Sequence, residues 1–220
     1  LAQLGFPAFA NAIGAGGGGA PFDAISAHLR GMTGSMLDMY QRPEKLLRAC
    51  EMLADMRIAR AVPADPKKRG NPKRVGMPLW RGDKMFMNKK QFETFYWPGL
   101  KKVMLASIEL GYVPMPFFEA RFGDRLECLL DLPKGKVIAC VEEMDVVQAK
   151  QILGAHTCVM GKGPLSLKVA SIREVGEYHK DMIKVCGKGG GFIMRMTLPD
   201  KGKPEDIKAM VDSVKKSGEY

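Results

Sequence analysis

Short apolar runs alternate with amphipathic stretches through the second half of the chain. Four runs are apolar without alternation, at residues 113–118, 136–141, 157–160 and 191–194. Continuous apolar runs of this length are typical of parallel strands that are covered on both faces. The alternation of such strands with helices predicts βα units, hence an α/β fold with a parallel sheet or barrel and right-handed crossovers.

Helix start and stop signals separate these strands. Asp145 is placed to cap a helix over residues 146–153, which Gly154 would end, and Ser171 is placed to cap another that Gly187 would end. Further starts are predicted at Pro204, at Pro43, and at the Asn88 and Gln91 pair, with Pro98 interrupting that last helix.

The chain is predicted to form a single domain over residues 1–220. Within it, residues 61–77 carry the basic stretch 67–74 together with proline and glycine, which favours a basic linker between an N-terminal segment and the βα series. This loop holds much of the net charge of +10. Because no aromatic residues are interleaved with it, nucleic acid is not the expected partner. The alternative is a non-catalytic basic binding module with this loop as its motif.

The composition is that of an ordinary globular protein, with 46% hydrophobic and 26% charged residues in 220. No apolar run approaches the roughly 20 residues that a membrane helix needs, and the N-terminus does not resemble a signal peptide. We therefore expect a cytoplasmic protein without a membrane partner.

Metal-binding and phosphate-binding motifs are weak in this sequence. The five cysteines are dispersed and form no C-x-x-C pair, and His156 with Cys158 supplies only two ligands on one strand, so we expect no bound metal. The glycine runs at 16–19 and 187–191 lack the lysine and hydroxyl residue that follow a phosphate-binding loop. A flexible loop and a helix stop with a tight turn explain them.

Polar residues follow three of the predicted strands directly. In a barrel the carboxyl ends of the strands carry the chemistry, so we predict Glu119 and Glu142 as catalytic residues that face one cavity. Two carboxylates close together would raise the pKa of one of them, and a lysine would oppose that rise. Residues assigned to substrate binding are Asp83, Arg121, Asp124, Glu143 and Lys162.

Several of the same segments resemble the uroporphyrinogen decarboxylase superfamily. Residues 145–154 (DVVQAKQILG) followed by 159–164 (VMGKGP) resemble its "AK..LG" helix and "GN.P" strand end. Further similar stretches are 95–98 (FYWP), 186–192 (CGKGGGF), 203–210 (KPEDIKAM), 21–23 (PFD), 30–31 (RG) and 36–40 (MLDMY), and they cover nearly the whole chain in order.

The resemblance implies a (β/α)8 TIM barrel of the uroporphyrinogen decarboxylase type that lacks its first strands, since the family's Arg-rich N-terminal substrate motif is absent. Members are either cofactor-free decarboxylases of uroporphyrinogen or methyltransferases that use corrinoids and thiols. We expect that this chain alone cannot close a barrel, and that residues 1–30 or a second copy, in a homo-oligomer, would cover the sheet edges if the chain is complete.

Two departures from the family pattern bear on the function. The His-x-Cys of its thiol methyltransferases is replaced by residues 119–121 (EAR), and Lys162 stands where the family has asparagine. Because acidic strand ends would repel a porphyrinogen with eight carboxylates, we expect methyl transfer or demethylation of a small substrate, with no tightly bound cofactor and with a corrinoid carried by a partner protein. Decarboxylation of uroporphyrinogen to coproporphyrinogen is the alternative.

Overall fold

Five parallel strands form one sheet in this computed structural model, which describes residues 18–64, 73–163, 167, 170–195, 200 and 202–218. The strands lie in sequence order across the sheet. They are β1 (Arg74–Leu79), β2 (Val113–Phe118), β3 (Ile138–Val141), β4 (Cys158–Lys162) and β5 (Phe192–Arg195).

Each strand from β1 to β4 pairs in parallel with the strand that follows it in the described part of the chain. A doubly wound sheet would reverse its strand order at a switch point, whereas an unbroken order is that of a barrel wall. The α/β class with a parallel sheet is therefore confirmed. The sheet described is open, with β1 and β5 at its edges.

Strand β2 has the predicted bounds, whereas β1 lies partly inside the predicted linker. Residues 74–77 belong to β1, so the linker boundary at 77 is wrong. Of the basic loop, residues 65–72 lie outside the described residues. Val75, Met77 and Leu79 are buried while Pro78 is exposed, so this edge strand alternates instead of forming the apolar run that marked the other four.

The helices begin where their caps predict. Asp145 accepts a hydrogen bond of 2.9 Å from the backbone N–H of Gln148, and Ser171 forms a capping box with Glu174. The helices are α1 (Pro21–Ala24, continued by a π-helical turn Ile25–Leu29), α2 (Met32–Gln41), α3 (Pro43–Ala59), α4 (Lys89–Gln91), α5 (Trp97–Glu109), α6 (Val146–Leu153), α7 (Ile172–Cys186) and α8 (Pro204–Ser217). None of them is long and apolar enough to cross a membrane.

Pro98 was predicted to interrupt the helix that starts after Asn88. In the structure a π-helical turn, Phe92–Tyr96, joins α4 to α5 and places Pro98 in the first turn of α5. A proline is tolerated there because its missing N–H disturbs the ladder least near the start of a helix. The helical path is therefore continuous through the proline.

An aromatic cluster packs beneath the carboxyl ends of β1 and β2. The rings of Phe118 and Phe122 meet edge to face at 4.8 Å, and Phe92 stacks on Tyr96 at 5.3 Å between centroids. Tyr96 and Phe122 are fully buried. The cluster supports the loops that follow these two strands.

Candidate active site at the carboxyl edge of the sheet

Three charged side chains meet where β3, β4 and β5 end. Glu142 follows the last residue of β3, while Lys162 and Arg195 are the paired last residues of β4 and β5. Nζ of Lys162 donates to Oε1 of Glu142, and Nη1 of Arg195 donates to Oε2 at 2.6 Å. One carboxylate thus joins the ends of three adjacent strands, and we call these three residues the carboxyl-edge cluster.

Arg195 is also held by its neighbours on β2 and β3. Its guanidinium carbon lies 5.4 Å from the centroid of the Phe117 ring, and Nη1 approaches Sγ of Cys140 at 3.5 Å. The side chain of Arg195 is 33% exposed, that of Glu142 21% and that of Lys162 15%. The cluster is therefore partly desolvated, which strengthens its electrostatic interactions, yet solvent still reaches it.

The pKa of Glu142 lies below its ordinary value. Burial acts to raise this pKa, but hydrogen bonds from Lys162 and Arg195, with their charges, outweigh it. The prediction that crowding of carboxylates raises a pKa is thus wrong for Glu142. Two cations and one carboxylate leave the carboxyl-edge cluster with a net charge of +1.

Glu119 follows β2 at the same edge but does not contact the cluster. Its backbone N–H donates to the carbonyl of Leu79 at 3.1 Å, and the N–H of Glu142 donates to the carbonyl of Phe118 at 3.2 Å. The side chains of Glu119, Arg121 and Glu143 are exposed. Within the described ranges none of these three side chains forms a hydrogen bond or ion pair. The structure therefore brings Glu142 and Lys162 into contact and leaves Glu119 beside them.

Asp124 and Asp83 have structural partners. Asp124 pairs with Lys84 at 3.1 Å and with Lys89 at 3.9 Å. The hydrogen bond from Lys84 lowers its pKa, with burial opposing this shift. Buried Asp83 accepts hydrogen bonds at its Oδ1 from the N–H groups of Met85 at 2.8 Å and Phe86 at 3.2 Å. Its carboxylate therefore stabilises its own turn.

A second buried carboxylate, that of Asp23, lies at the end of β1. The hydroxyl of Tyr96 donates to its Oδ2 at 2.6 Å, and the N–H of Arg81 donates to its Oδ1 at 3.0 Å. Burial raises the pKa of Asp23 to about 6, against the hydrogen bonds that lower it. Sequence reasoning assigned Asp23 no role, since its partner Tyr96 is 73 residues away.

Arg195 was also missed, although a signal was available. The strand predicted at residues 191–194 ends one residue before Arg195, and no role is predicted for that residue from the sequence. A cation directly after an apolar strand is the same signal that identified Lys162. Strand β5 runs one residue further than predicted, to Arg195, which therefore ends its strand as Lys162 ends β4.

Metal ligands do not gather in the described part of the chain. No group of three or more His, Cys, Asp or Glu side chains there could hold an ion. His156 precedes β4 at the amino edge of the sheet, and Glu119 follows β2 at the carboxyl edge. These two residues lie at opposite edges of the sheet and therefore cannot bind one metal ion together. The absence of a bound metal stays a prediction.

Comparison with known proteins shows a likeness in fold. No protein-family model matches the sequence, and the search of curated proteins found no match. Among solved structures, the chain is similar to a methyltransferase from Methanosarcina mazei, with 13% sequence identity and a TM-score of 0.62. The likeness covers 91% of this chain and 58% of that protein. The two share a fold, and this chain spans less than two thirds of the other's length.

Proposed function

We propose that this chain is an enzyme of the uroporphyrinogen decarboxylase superfamily that transfers a methyl group from a small substrate, with a corrinoid on a partner protein as the acceptor. Its five strands would belong to a (β/α)8 barrel. The observation that carries the proposal is the carboxyl-edge cluster, which lies where barrel enzymes hold their substrates. The shared fold with a methyltransferase supports it.

The cluster suits the charge that develops when a methyl group leaves a heteroatom. The methyl group departs without the bonding electron pair, so negative charge grows on the oxygen, nitrogen or sulfur that stays behind. Lys162 and Arg195 would stabilise that charge, and a fixed cation in a partly dry site does so effectively. A proton from solvent or from Glu119 would then neutralise the product.

Glu142 would position the two cations in this scheme. Because its pKa is lowered by Lys162 and Arg195 against the effect of burial, Glu142 is ionised at neutral pH and is a poor proton donor. Glu119 is the remaining candidate for proton transfer, and Arg121 and Glu143 beside it would contact substrate. The sequence predicted Lys162 as a substrate-binding residue, and in this scheme its proposed role is to stabilise charge on the reacting atom.

The corrinoid would supply a strongly nucleophilic cobalt that accepts the methyl group. Two of the three histidines lie away from the carboxyl edge, since His156 precedes β4 and His179 is buried within α7. We expect the partner protein to bring the corrinoid to the carboxyl edge.

Decarboxylation of uroporphyrinogen is the second candidate, and one observation favours it. The acidic strand ends were expected to repel a porphyrinogen, yet Glu142 is paired with two cations and Asp124 with Lys84. The net charge of +1 in the cluster would attract a substrate carboxylate. The electrostatic preference for methyl transfer is therefore weaker than the sequence indicated.

A paired assay tests the proposal. The chain is incubated with reduced cobalamin and candidate methyl donors carrying O-, N- or S-methyl groups, and methylation of cobalt is followed by its visible absorbance. Uroporphyrinogen is offered in parallel, and its products are separated by the number of carboxylates. We expect cobalt methylation and no decarboxylated porphyrin. Coproporphyrinogen without cobalt methylation would overturn the proposal and establish the second candidate.

A further inference from the structure

A cleft lies at the amino edge of the sheet, opposite the carboxyl-edge cluster. It opens between the C-terminal turns of α7 and α8 beside the glycine-rich turn 187–191, and it has a volume of about 580 Å³. This size falls within the range of small-molecule sites. Its lining consists of Lys180, Ile183, Lys184, Gly187, Lys188, Gly189, Ser213, Lys216, Ser217 and Gly218, and we call it the lysine cleft.

The charges lining the lysine cleft are all positive among the residues that the structure describes. Lys180, Lys184 and Lys188 recur every four positions along one side of the cleft, and Lys216 faces them from α8. None of the four forms an ion pair with a described carboxylate, whereas nearby Lys208 pairs with Asp212 at 2.8 Å. Lys180 and Lys184 lie four residues apart on α7, and like charges at that spacing on a helix repel one another. A counter-ion in the cleft would relieve that repulsion.

Helix dipoles account for only part of this charge. The cleft lies at the C-termini of α7 and α8, and each helix end carries roughly half a negative charge. Four ammonium groups therefore exceed the two helix ends by about three positive charges. Stabilisation of the helix termini alone would need far fewer lysines.

Hydrogen-bond donors other than the lysines also line the cleft. Ser213 and Ser217 are four residues apart on α8, and both line it. On the opposite wall Gly187 and Gly189 carry no side chain, so a ligand can approach the backbone closely. Gly189 has a φ of +79°, a conformation that a side chain would strain. The turn therefore leaves its backbone accessible to a ligand, and its conformation favours glycine at residue 189.

We propose that the lysine cleft binds the phosphate chain of a small molecule, with a diphosphate or triphosphate as the recognised group. An excess of about three positive charges matches the charge of such a chain better than that of a single carboxylate. Lysine ammonium groups act as point charges that suit phosphate oxygens, and the serine hydroxyls add directional donors. The site is separate from the proposed methyl transfer and stands whether or not that function is correct.

Calorimetric titration with sodium triphosphate, pyrophosphate and inorganic phosphate tests this site on the whole chain. We expect saturable binding of one triphosphate, tighter than pyrophosphate and much tighter than phosphate. Lys184→Gln should weaken triphosphate binding by about three- to tenfold, the scale of losing one charge-assisted hydrogen bond at a partly exposed site. Ser217→Ala should weaken it by a smaller factor without changing the net charge.

Lys90→Gln is the matched control. Lys90 is exposed on α4, away from the cleft, and forms no ion pair with a described residue, so this change removes the same charge without touching the site. Triphosphate affinity should then equal that of the unaltered chain. Absence of saturable binding would overturn the proposal. An equal loss of affinity in Lys90→Gln and Lys184→Gln would also overturn it, since the overall charge of +10 would then explain the binding without a specific site.

Discussion

Arg195 donates a 2.6 Å hydrogen bond to Glu142 and so joins the end of β5 to the end of β3 across β4. The contact holds a cation and a carboxylate together at the carboxyl edge of the sheet. Because Lys162 occupies the other oxygen of the same carboxylate, the orientation of all three side chains depends on Glu142.

Arg195→Gln should raise the pKa of Glu142. Burial already acts to raise it, and this change removes one of the two cations that oppose burial. The free energy of unfolding at neutral pH should fall by about 1 kcal/mol, since the pair is partly exposed and Lys162 remains. A lowered Glu pKa stabilises the fold fully above the ordinary pKa. The loss in Arg195→Gln should therefore diminish as the pH falls from the ordinary pKa of a glutamate through the lowered pKa of folded Glu142.

Carboxyl chemical shifts followed against pH by NMR report the pKa of Glu142 directly. Arg173→Gln is the control, because it breaks the exposed pair that Arg173 forms with Glu177 at 3.0 Å. That change should leave the titration of Glu142 where it is in the unaltered chain. An unchanged pKa in Arg195→Gln would show that the two residues are not coupled.

Asp23 should make the chain less stable as the pH rises from about 4 to about 6. The folded state raises the pKa of this carboxyl from 3.8 to about 6, so it binds the proton more tightly than the unfolded chain does. The cost of ionising Asp23 is therefore fully present above pH 6 and amounts to roughly 3 kcal/mol. Asp23→Asn should remove this dependence, as measured by urea unfolding across the interval.

Tyr96→Phe tests the same carboxylate from its partner's side. Removing the hydroxyl that donates to Asp23 at 2.6 Å leaves the ionised form with one donor fewer. The variant should lose more stability at pH 8 than at pH 5. An equal loss at both values would mean that the hydroxyl does not stabilise the ionised form of Asp23.

Gly82→Ala should destabilise the fold by about 1–3 kcal/mol, the range for overpacking a core. A Cβ at this position would lie 2.7 Å from ring carbons of both Phe122 and Tyr96, which are fully buried and cannot move aside. Gly176→Ala is the control, since its Cβ would meet nothing within 4 Å inside α7. It should stabilise the chain by about 0.5–1 kcal/mol. Equal midpoints of urea unfolding for the two variants would contradict this account.

Local patterns predicted much of the fold. The apolar run at 113–118 matched β2 exactly in its bounds because a buried parallel strand excludes polar residues throughout. Helix α6 began after Asp145 and ended before Gly154 because capping is a local interaction. Strand β1 was not predicted, because an edge strand with a proline and alternating burial resembles a loop when it follows a run of basic residues.

The candidate site was less accessible from sequence because its contacts are long-range. Glu142 and Lys162 could be placed at one edge from the parallel order alone. The direction of the pKa shift of Glu142 could not be predicted in the same way, since it depends on Arg195, which lies 53 residues further along the chain. The pairing of Asp23 with Tyr96 likewise depends on how α1 packs beneath the end of β1.

Glu119→Gln should lower methyl-transfer turnover by about 10²-fold if Glu119 delivers or accepts a proton, the scale for loss of a general acid or base. The fold should persist, because Glu119 is exposed. Glu127→Gln is the control, since Glu127 is an exposed carboxylate that pairs only loosely with Lys89 at 3.7 Å. Full activity in Glu119→Gln would leave Glu119 as a surface residue.

Turnover of Lys162→Gln against Lys84→Gln tests the carboxyl-edge cluster most directly. Both changes remove a lysine that pairs with a carboxylate, Glu142 in the cluster and Asp124 on the surface. Lys162→Gln should lower methyl-transfer turnover by about 10²-fold or more, as expected when a group that stabilises developing charge is lost, while Lys84→Gln should change it less than about twofold. Full turnover in Lys162→Gln would contradict the assignment of catalysis to this cluster.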